Sequence, residues 1–254
     1  MFAGQAGGMD LIDRATAATR SGLSERARLW LGKRNWDNRA DHWDHGGATG
    51  LSAVFDAVIE AAAVGPETVV VDLGCGSGQL SVPLAHKGAA VTAVDISPRM
   101  AELVRQRAAE EHLDRLTAQV APVEHLVLPP ASVDVVVTNY AMHHVRDNDK
   151  LAVVRAAAGW LKPGGRLVVG DMMFGRGASP RDREIIKSKA LTMLSRGPAG
   201  WWRLAKNVFR FSLRVRERPV SMETWVGYFK SAGLVDVTTR SVVSEAGVVV
   251  GRKP

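Results

Sequence analysis

The sequence predicts an α/β fold, a buried sheet whose strands alternate with helices, and three observations carry that expectation. The first is the run Val69-Val70-Val71-Asp72-Leu73-Gly74-Cys75-Gly76-Ser77-Gly78-Gln79-Leu80. Its β-branched start reads as a buried strand, three glycines at alternate positions demand a tight turn, and Leu80, Leu84 and Ala85 then fall at helical spacing. The second is a repeat of the same order: Ala90 to Val94 reads as a strand ending on Asp95, and Ser97-Pro98 supplies a helix N-cap and first residue. The third is length, since 254 residues suffice for one large domain with a fully buried sheet.

The remaining elements follow in order. Residues 1–20 show little apolar periodicity. Ser24 opens a helical signal with Leu23, Ala27, Trp30 and Leu31 on one face, and Trp36 and Trp43, seven apart, share a face further on. Gly46-Gly47-Ala48 breaks that helix, and Leu51 to Ala63 forms the next, stopped at Gly65-Pro66. After the second strand a helix is expected from about Pro98 to His112, then strands over Leu116 to Ala121 and Val133 to Thr138. Asp149 to Trp160 repeats apolar residues at helical spacing, with Pro163-Gly164-Gly165 expected to end that helix and Arg166 to Met172 to form a fifth strand. Ser221-Met222-Glu223-Thr224 caps a helix to Ala232 that Gly233 terminates, and Val235 to Thr239 with Gly247 to Gly251 reads as a closing hairpin.

Charge is local. The chain carries +7, yet residues 175–218 hold twelve Lys and Arg against three Asp and Glu, so that segment is strongly basic and the rest slightly acidic. Its apolar residues, Trp201, Trp202, Leu204, Val208 and Phe209 among them, alternate with arginines as amphipathic helices do, which fits a lid over a pocket, a membrane surface or nucleic acid. One cysteine excludes a disulfide framework or a multi-cysteine zinc site and suits a reducing, cytoplasmic compartment. No apolar run approaches the ~18 residues of a membrane span. No histidine and carboxylate cluster has metal-ligand spacing, so no metal is expected.

The glycine turn leads into a helix N-terminus, where backbone amides and the helix dipole favour a ligand. Its GxGxG spacing differs from the dinucleotide fingerprint, and Asp72 at its mouth repels a pyrophosphate while attracting an ammonium. Asp95, within the ~20-residue interval at which such folds place a ribose-binding carboxylate, becomes the sugar anchor. A cationic nucleotide bearing an amino acid therefore fits.

Four blocks now stand in order: Asp72 to Gly78; Val94-Asp95-Ile96-Ser97-Pro98-Arg99-Met100; Ser132 to Val136 with Asn139-Tyr140-Ala141-Met142-His143-His144; and Leu161-Lys162-Pro163-Gly164-Gly165-Arg166-Leu167. Together they resemble the class I S-adenosylmethionine-dependent methyltransferases of small-molecule type, similar to the ubiquinone and menaquinone group. The resemblance implies a Rossmann-like α/β fold with a seven-stranded, mostly parallel sheet, helices on both faces, an antiparallel last strand and a helical lid. It divides the chain into an N-terminal helical arm and cap (1–63), a cofactor-binding core (64–174), a basic lid insertion (175–220) and the C-terminal part of the sheet (221–254). S-adenosylmethionine is the implied cofactor, held by Asp72, Gly74, Cys75, Gly76, Asp95, Ile96, Met100, Val123, Glu124, Asn139 and Tyr140.

One departure stands out. Where the family has an aspartate that accepts from the adenine amino group, alignment places Pro122, leaving the Val123 amide and Glu124 to serve. At the carboxyl end of the fourth strand, His144 is the expected base and Tyr140 a positioning group. Adjacent residues of a regular element point apart, so His143 and His144 do not both face the pocket; the resemblance keeps His143 for packing or cofactor contact and leaves His144 nearer the substrate, and the alternative for either is a hydrogen-bonded core histidine. Trp36 and Trp43 either pack the arm onto the domain or, as the resemblance to an aromatic arm implies, roof the site, and Asp171 either orients substrate or is a solvated strand-end carboxylate. Several thiols would be needed for arsenic methylation, which the single cysteine excludes.

The expected activity is methyl transfer to an O, N or C atom of a small, apolar or aromatic acceptor. Peripheral membrane contact through the basic lid would suit a lipid-like acceptor. Two alternatives remain: an RNA methyltransferase using the basic segment, disfavoured because no Asn-Pro-Pro-Tyr motif, catalytic cysteine pair or RNA-binding module is visible, and a non-catalytic binding protein, supported only by Pro122.

Overall fold

The computed structural model describes residues 49–175 and 218–254, with part of the stretch 180–191. The helical arm, Trp36 and Trp43, and most of the basic 175–220 segment lie outside the described residues.

The elements are α1 (Thr49–Ala62), β1 (Val69–Leu73), α2 (Ser81–His86), β2 (Ala90–Asp95), α3 (Pro98–Glu110), β3 (Leu116–Val120), β4 (Val133–Asn139), α4 (Asp147–Trp160), β5 (Leu161–Met172), α5 (Met222–Ser231), β6 (Val235–Val243) and β7 (Ala246–Arg252). The seven strands form one sheet in the order β3-β2-β1-β4-β5-β7-β6. β1, β2, β3, β4 and β5 are parallel to their neighbours, and β7 runs antiparallel to both β5 and β6. The order turns back between β1 and β4, the place where an open α/β sheet leaves a crevice at its carboxyl ends.

Helices cover both faces. On one, α1, α2 and α3 bury Val54, Val58, Leu84 and Val104 against Val70, Val135 and Val168. On the other, α4 and α5 bury Val153, Trp160, Trp225 and Phe229 against Val71, Val136, Leu167 and Val249. Period-2 alternation makes this two-sided burial possible, and it explains why the central strands read as unbroken apolar runs. Phe229 has no solvent exposure, so truncating it to alanine is expected to cost about 3–5 kcal/mol.

Local signals set the element ends. The Ser97 side chain accepts from the Met100 N–H with Pro98 at the first helical position, and Ser221 accepts from the Thr224 N–H. Asp134 accepts from the Val69 N–H at 2.9 Å and from Lys162 Nζ at 3.0 Å, fastening the start of β1 to β4 and β5. The largest differences from the sequence reading lie at β5 and the closing hairpin. β5 starts at Leu161 instead of Arg166, directly after α4 ends at Trp160, because Leu161 turns to extended backbone and already pairs with Val133. The closing hairpin is longer at both strands, since β7 pairs along β5 from Arg252 to Ala246 and carries β6 with it.

Candidate active site

Two groups of residues meet at the carboxyl ends of the strands. The first surrounds the glycine turn. The Gly74 and Cys75 N–H groups both donate to the Val94 carbonyl, at 2.8 and 3.0 Å, so the turn leans on the end of β2. Gly74 adopts φ +72°, and a Cβ there would lie 2.4 Å from Ala141 Cβ. Only glycine lets this turn approach the segment after β4 so closely. Asp95 accepts from the Gly76 N–H at 3.0 Å and from the Ser97 N–H at 2.8 Å, so its carboxylate is oriented between the glycine turn and the start of α3.

Asp72 is buried at the end of β1, where Oδ2 accepts from Ser81 Oγ at 2.6 Å and Oδ1 has no partner. Burial raises its pKa to about 7; the Ser81 bond lowers it and the Asp95 charge raises it. Burial likewise pushes the Cys75 thiol well up, with Asp72 and Asp95 adding to the effect. That thiol stays protonated and serves as packing. Met100 is fully buried and Ile96 half-buried, both at the start of α3. Val123 and Glu124 lie in a 3-10 turn, Val123–His125, that follows Pro122 and contains no aspartate; the Ala121 N–H before it donates to the Asp95 carbonyl at 2.9 Å.

The second group follows β4. Asn139 is buried with both side-chain polar atoms unpaired. It lies two residues beyond Val137, the register partner of Asp72, and so on the same face of the sheet. A Cβ at its own register partner, Gly170, would meet Asn139 Oδ1 at 2.5 Å and Val58 Cγ2 at 2.4 Å, so the missing side chain at 170 makes room for the amide. Tyr140 takes φ +50°, the left-handed region, at a cost of about 1 kcal/mol. Its N–H donates to the Gly170 carbonyl at 2.9 Å, which holds the reversal. Burial raises the Tyr140 phenol to about 12, helped by the charges of Glu245 and Asp171.

Met142–His144 is a 3-10 turn. Its imidazoles do not diverge: the His143 and His144 ring centroids are 4.0 Å apart, and Tyr140 stands edge-on to His143 at 6.4 Å. The tight turn, with its residues near 120° apart, brings consecutive rings together where a strand would separate them. His143 is buried, and its Nδ1 lies 2.5 Å from Asp171 Oδ1, which also accepts from the Met172 N–H at 2.7 Å. Asp171 Oδ2 is buried without a partner. The solvated reading of Asp171 is therefore wrong. β7 flanks β5 at this register and closes off water, leaving the carboxylate with no exposure.

Two contributors escaped the sequence reading. Glu245, at the tip of the β6–β7 hairpin, reaches the mouth because antiparallel β7 starts where β5 ends; its carbonyl accepts from the Met173 N–H at 2.8 Å. Lys150 on α4 is fully buried behind the histidine turn. Neither residue carries a local motif, and only the strand order reveals them.

This strand order with its reversed β7, and an acid-rimmed glycine turn at the switch point, define a class I methyltransferase fold. Residues 70–165 match the family model described as "Methyltransferase domain", so that stretch is a methyltransferase domain. It is 38% identical over 108 residues to the ubiquinone biosynthesis O-methyltransferase of Xanthomonas campestris, a match covering 42% of this chain and 44% of that protein. The chain thus spans less than half the length of the curated relatives it matches. Among solved structures, it resembles a methyltransferase in complex with the Haloferax volcanii Trm112 activator, with TM-score 0.64, 20% identity, and coverage of 86% of this chain and 97% of that one. It also resembles geranyl diphosphate methyltransferase in complex with SAM, with TM-score 0.59, 18% identity, and coverage of 80% and 85%.

Proposed function

We propose that the protein transfers a methyl group from S-adenosylmethionine to an O, N or C atom of a small, apolar or aromatic acceptor, with a hydroxyl oxygen favoured. The observation that carries this reading is the line of unpaired buried polar atoms across the β1–β4 switch point. Asp72 Oδ1 and both side-chain atoms of Asn139 point to a ligand that brings its own donors and acceptors, since such groups are otherwise paired. An amino acid's ammonium and carboxylate would satisfy them. In this reading Asp72 and Asn139 hold the amino-acid part of the cofactor, Asp95 accepts from its sugar hydroxyls, and the turn through Gly74, Cys75 and Gly76 lies beneath it. The Val123 and Glu124 turn, beside Met100 and Ile96, is left for the base.

When bound, the cofactor supplies a methyl group on a positively charged sulfur. The protein's own residues then manage the acceptor. With Asp171 ionised, His143 Nδ1–H donates to it, and the opposite nitrogen, Nε2, is the one suited to take a proton from the acceptor. That arrangement favours His143 over His144, whose ring lies tilted against it, as the base. Tyr140, protonated throughout the physiological range, can donate a hydrogen bond to the acceptor. The curated relative's name, an O-methyltransferase, supports oxygen as the atom methylated.

The test is a screen with methyl-labelled S-adenosylmethionine against phenolic, quinone and lipid extracts, with total RNA in parallel. Label in an organic-extractable product is expected. Label confined to RNA would replace this reading with the nucleic-acid one, and no label together with no heat on titrating S-adenosylhomocysteine would refute it.

A further inference from the structure

Lys150 has no solvent exposure. Burying an ammonium costs several kcal/mol unless every donor is used, and here three donors meet three oxygens. Nζ donates to the Val145 carbonyl at 3.0 Å, to Asp147 Oδ1 at 2.9 Å and to the Arg218 carbonyl at 2.7 Å. Leucine or methionine would fill the same place on α4 without that cost, so packing alone does not account for a lysine.

Its partners come from three pieces of chain. Val145 ends the histidine turn, Asp147 opens α4, and Arg218 is where the described chain resumes before α5. Arg218 is held through both of its backbone groups, for its N–H donates to the His143 carbonyl at 2.7 Å while its carbonyl accepts from Lys150. Lys150 and His143 therefore hold the two peptide groups that flank the Arg218 Cα. Burial lowers the Lys150 pKa to about 8; the charges of Asp171 and Asp149 favour the protonated form, that of Arg218 opposes it, and Asp147 pairs with Nζ directly. The lysine thus also senses the carboxylate that holds the His143 ring.

We propose that Lys150 is a positioning residue for His143: by fixing the Arg218 carbonyl while the Arg218 N–H is held on the His143 carbonyl, it sets the attitude of the imidazole toward the acceptor. This rests on the reading of His143 as the proton acceptor.

The test uses the full chain with ¹⁵N-labelled histidine. Lys150→Met keeps the length and apolar stem and removes the three donors. The expected result is a moved set of His143 ring nitrogen signals and an altered His143 titration, while the affinity for S-adenosylhomocysteine stays within about twofold. With an acceptor fraction that the wild type labels, kcat falls by about tenfold or more and KM for S-adenosylmethionine holds. Asp147→Asn removes one charged partner only, and is expected to shift the same signals less; it serves where Lys150→Met does not fold. Unmoved His143 signals and unchanged kcat in a less stable Lys150→Met protein, or unmoved signals in Asp147→Asn, overturn the proposal and leave Lys150 a fold-stabilising residue. Absence of any methyl transfer by the wild type would count against the proposed function, whereas the ring signals test Lys150 directly.

Discussion

The two halves of the site are built differently. Around the glycine turn, the side-chain hydrogen bonds stay within one strand–turn–helix unit and the strand after it: Asp72 to Ser81 nine residues on, Gly76 to Asp95 across 19, Asp95 to Ser97, Ser97 to Met100. Around β4 and β5, the contacts span long loops: His143 to Asp171 across 28 residues and Lys150 to Arg218 across 68. The first half is a binding cradle made by one local motif. The second is assembled by the sheet, with acids from β5 and the β6–β7 hairpin gathered around Tyr140 and His143. The cradle is expected to govern cofactor affinity, and the assembled half to govern turnover.

The sharpest way to break that division is Asp171→Asn. An amide keeps the shape but offers no charge to hold an Nδ1–H, so kcat should fall by about a hundredfold or more. Label incorporation by the wild type and the variant checks this, and equal rates would remove the pair from the reaction. Gly74→Ala attacks the other half. Its Cβ meets Ala141 at 2.4 Å on a backbone with φ +72°, and S-adenosylhomocysteine affinity should drop on the order of tenfold, with a loss of stability of about 1–3 kcal/mol. Calorimetry and thermal melts measure both.

Protonation gives a third test. Asp72 is raised from 3.8 to about 7 by burial, so the folded protein binds a proton there that the unfolded chain has lost. Its contribution to stability is full below about pH 4 and disappears as pH rises to about 7. An ammonium beside Asp72 favours the carboxylate, so S-adenosylhomocysteine should bind about tenfold more weakly at pH 6 than at pH 8, with proton release on binding. Titrations in buffers of different ionisation heat reveal that proton; Asp72→Asn should abolish the dependence. The smallest effect is expected at the exposed Arg240–Glu60 pair, 2.7 Å apart and remote from both halves. Arg240→Ala should change stability by about 0.5 kcal/mol or less and leave cofactor affinity alone.

The same division explains what could be read from the chain alone. The strands, the glycine turn, the Ser97 and Ser221 caps and the orienting role of Asp95 are settled by residues within a few positions of each other. Strand, turn and cap chemistry therefore placed them. The pairing of Asp171 with His143 depends on β7 covering β5, and no local pattern announces that burial. The closeness of the His143 and His144 rings was not legible for a related reason: adjacent residues of a regular element point apart, whereas here the chain makes a 3-10 turn. The burial of Lys150 depends on the Arg218 carbonyl, 68 residues away, and no local pattern on α4 announces it.

The account depends most on the cradle recognising a sulfonium nucleotide while the paired histidine plays no part in that recognition. Calorimetric titration of S-adenosylhomocysteine into wild type, Asp95→Ala and Asp171→Asn measures this directly. The predicted result is saturable one-site binding to wild type, unchanged within about twofold in Asp171→Asn and weakened on the order of tenfold in Asp95→Ala. No binding to the wild type, or an Asp95→Ala protein that binds as tightly as the wild type, would contradict it.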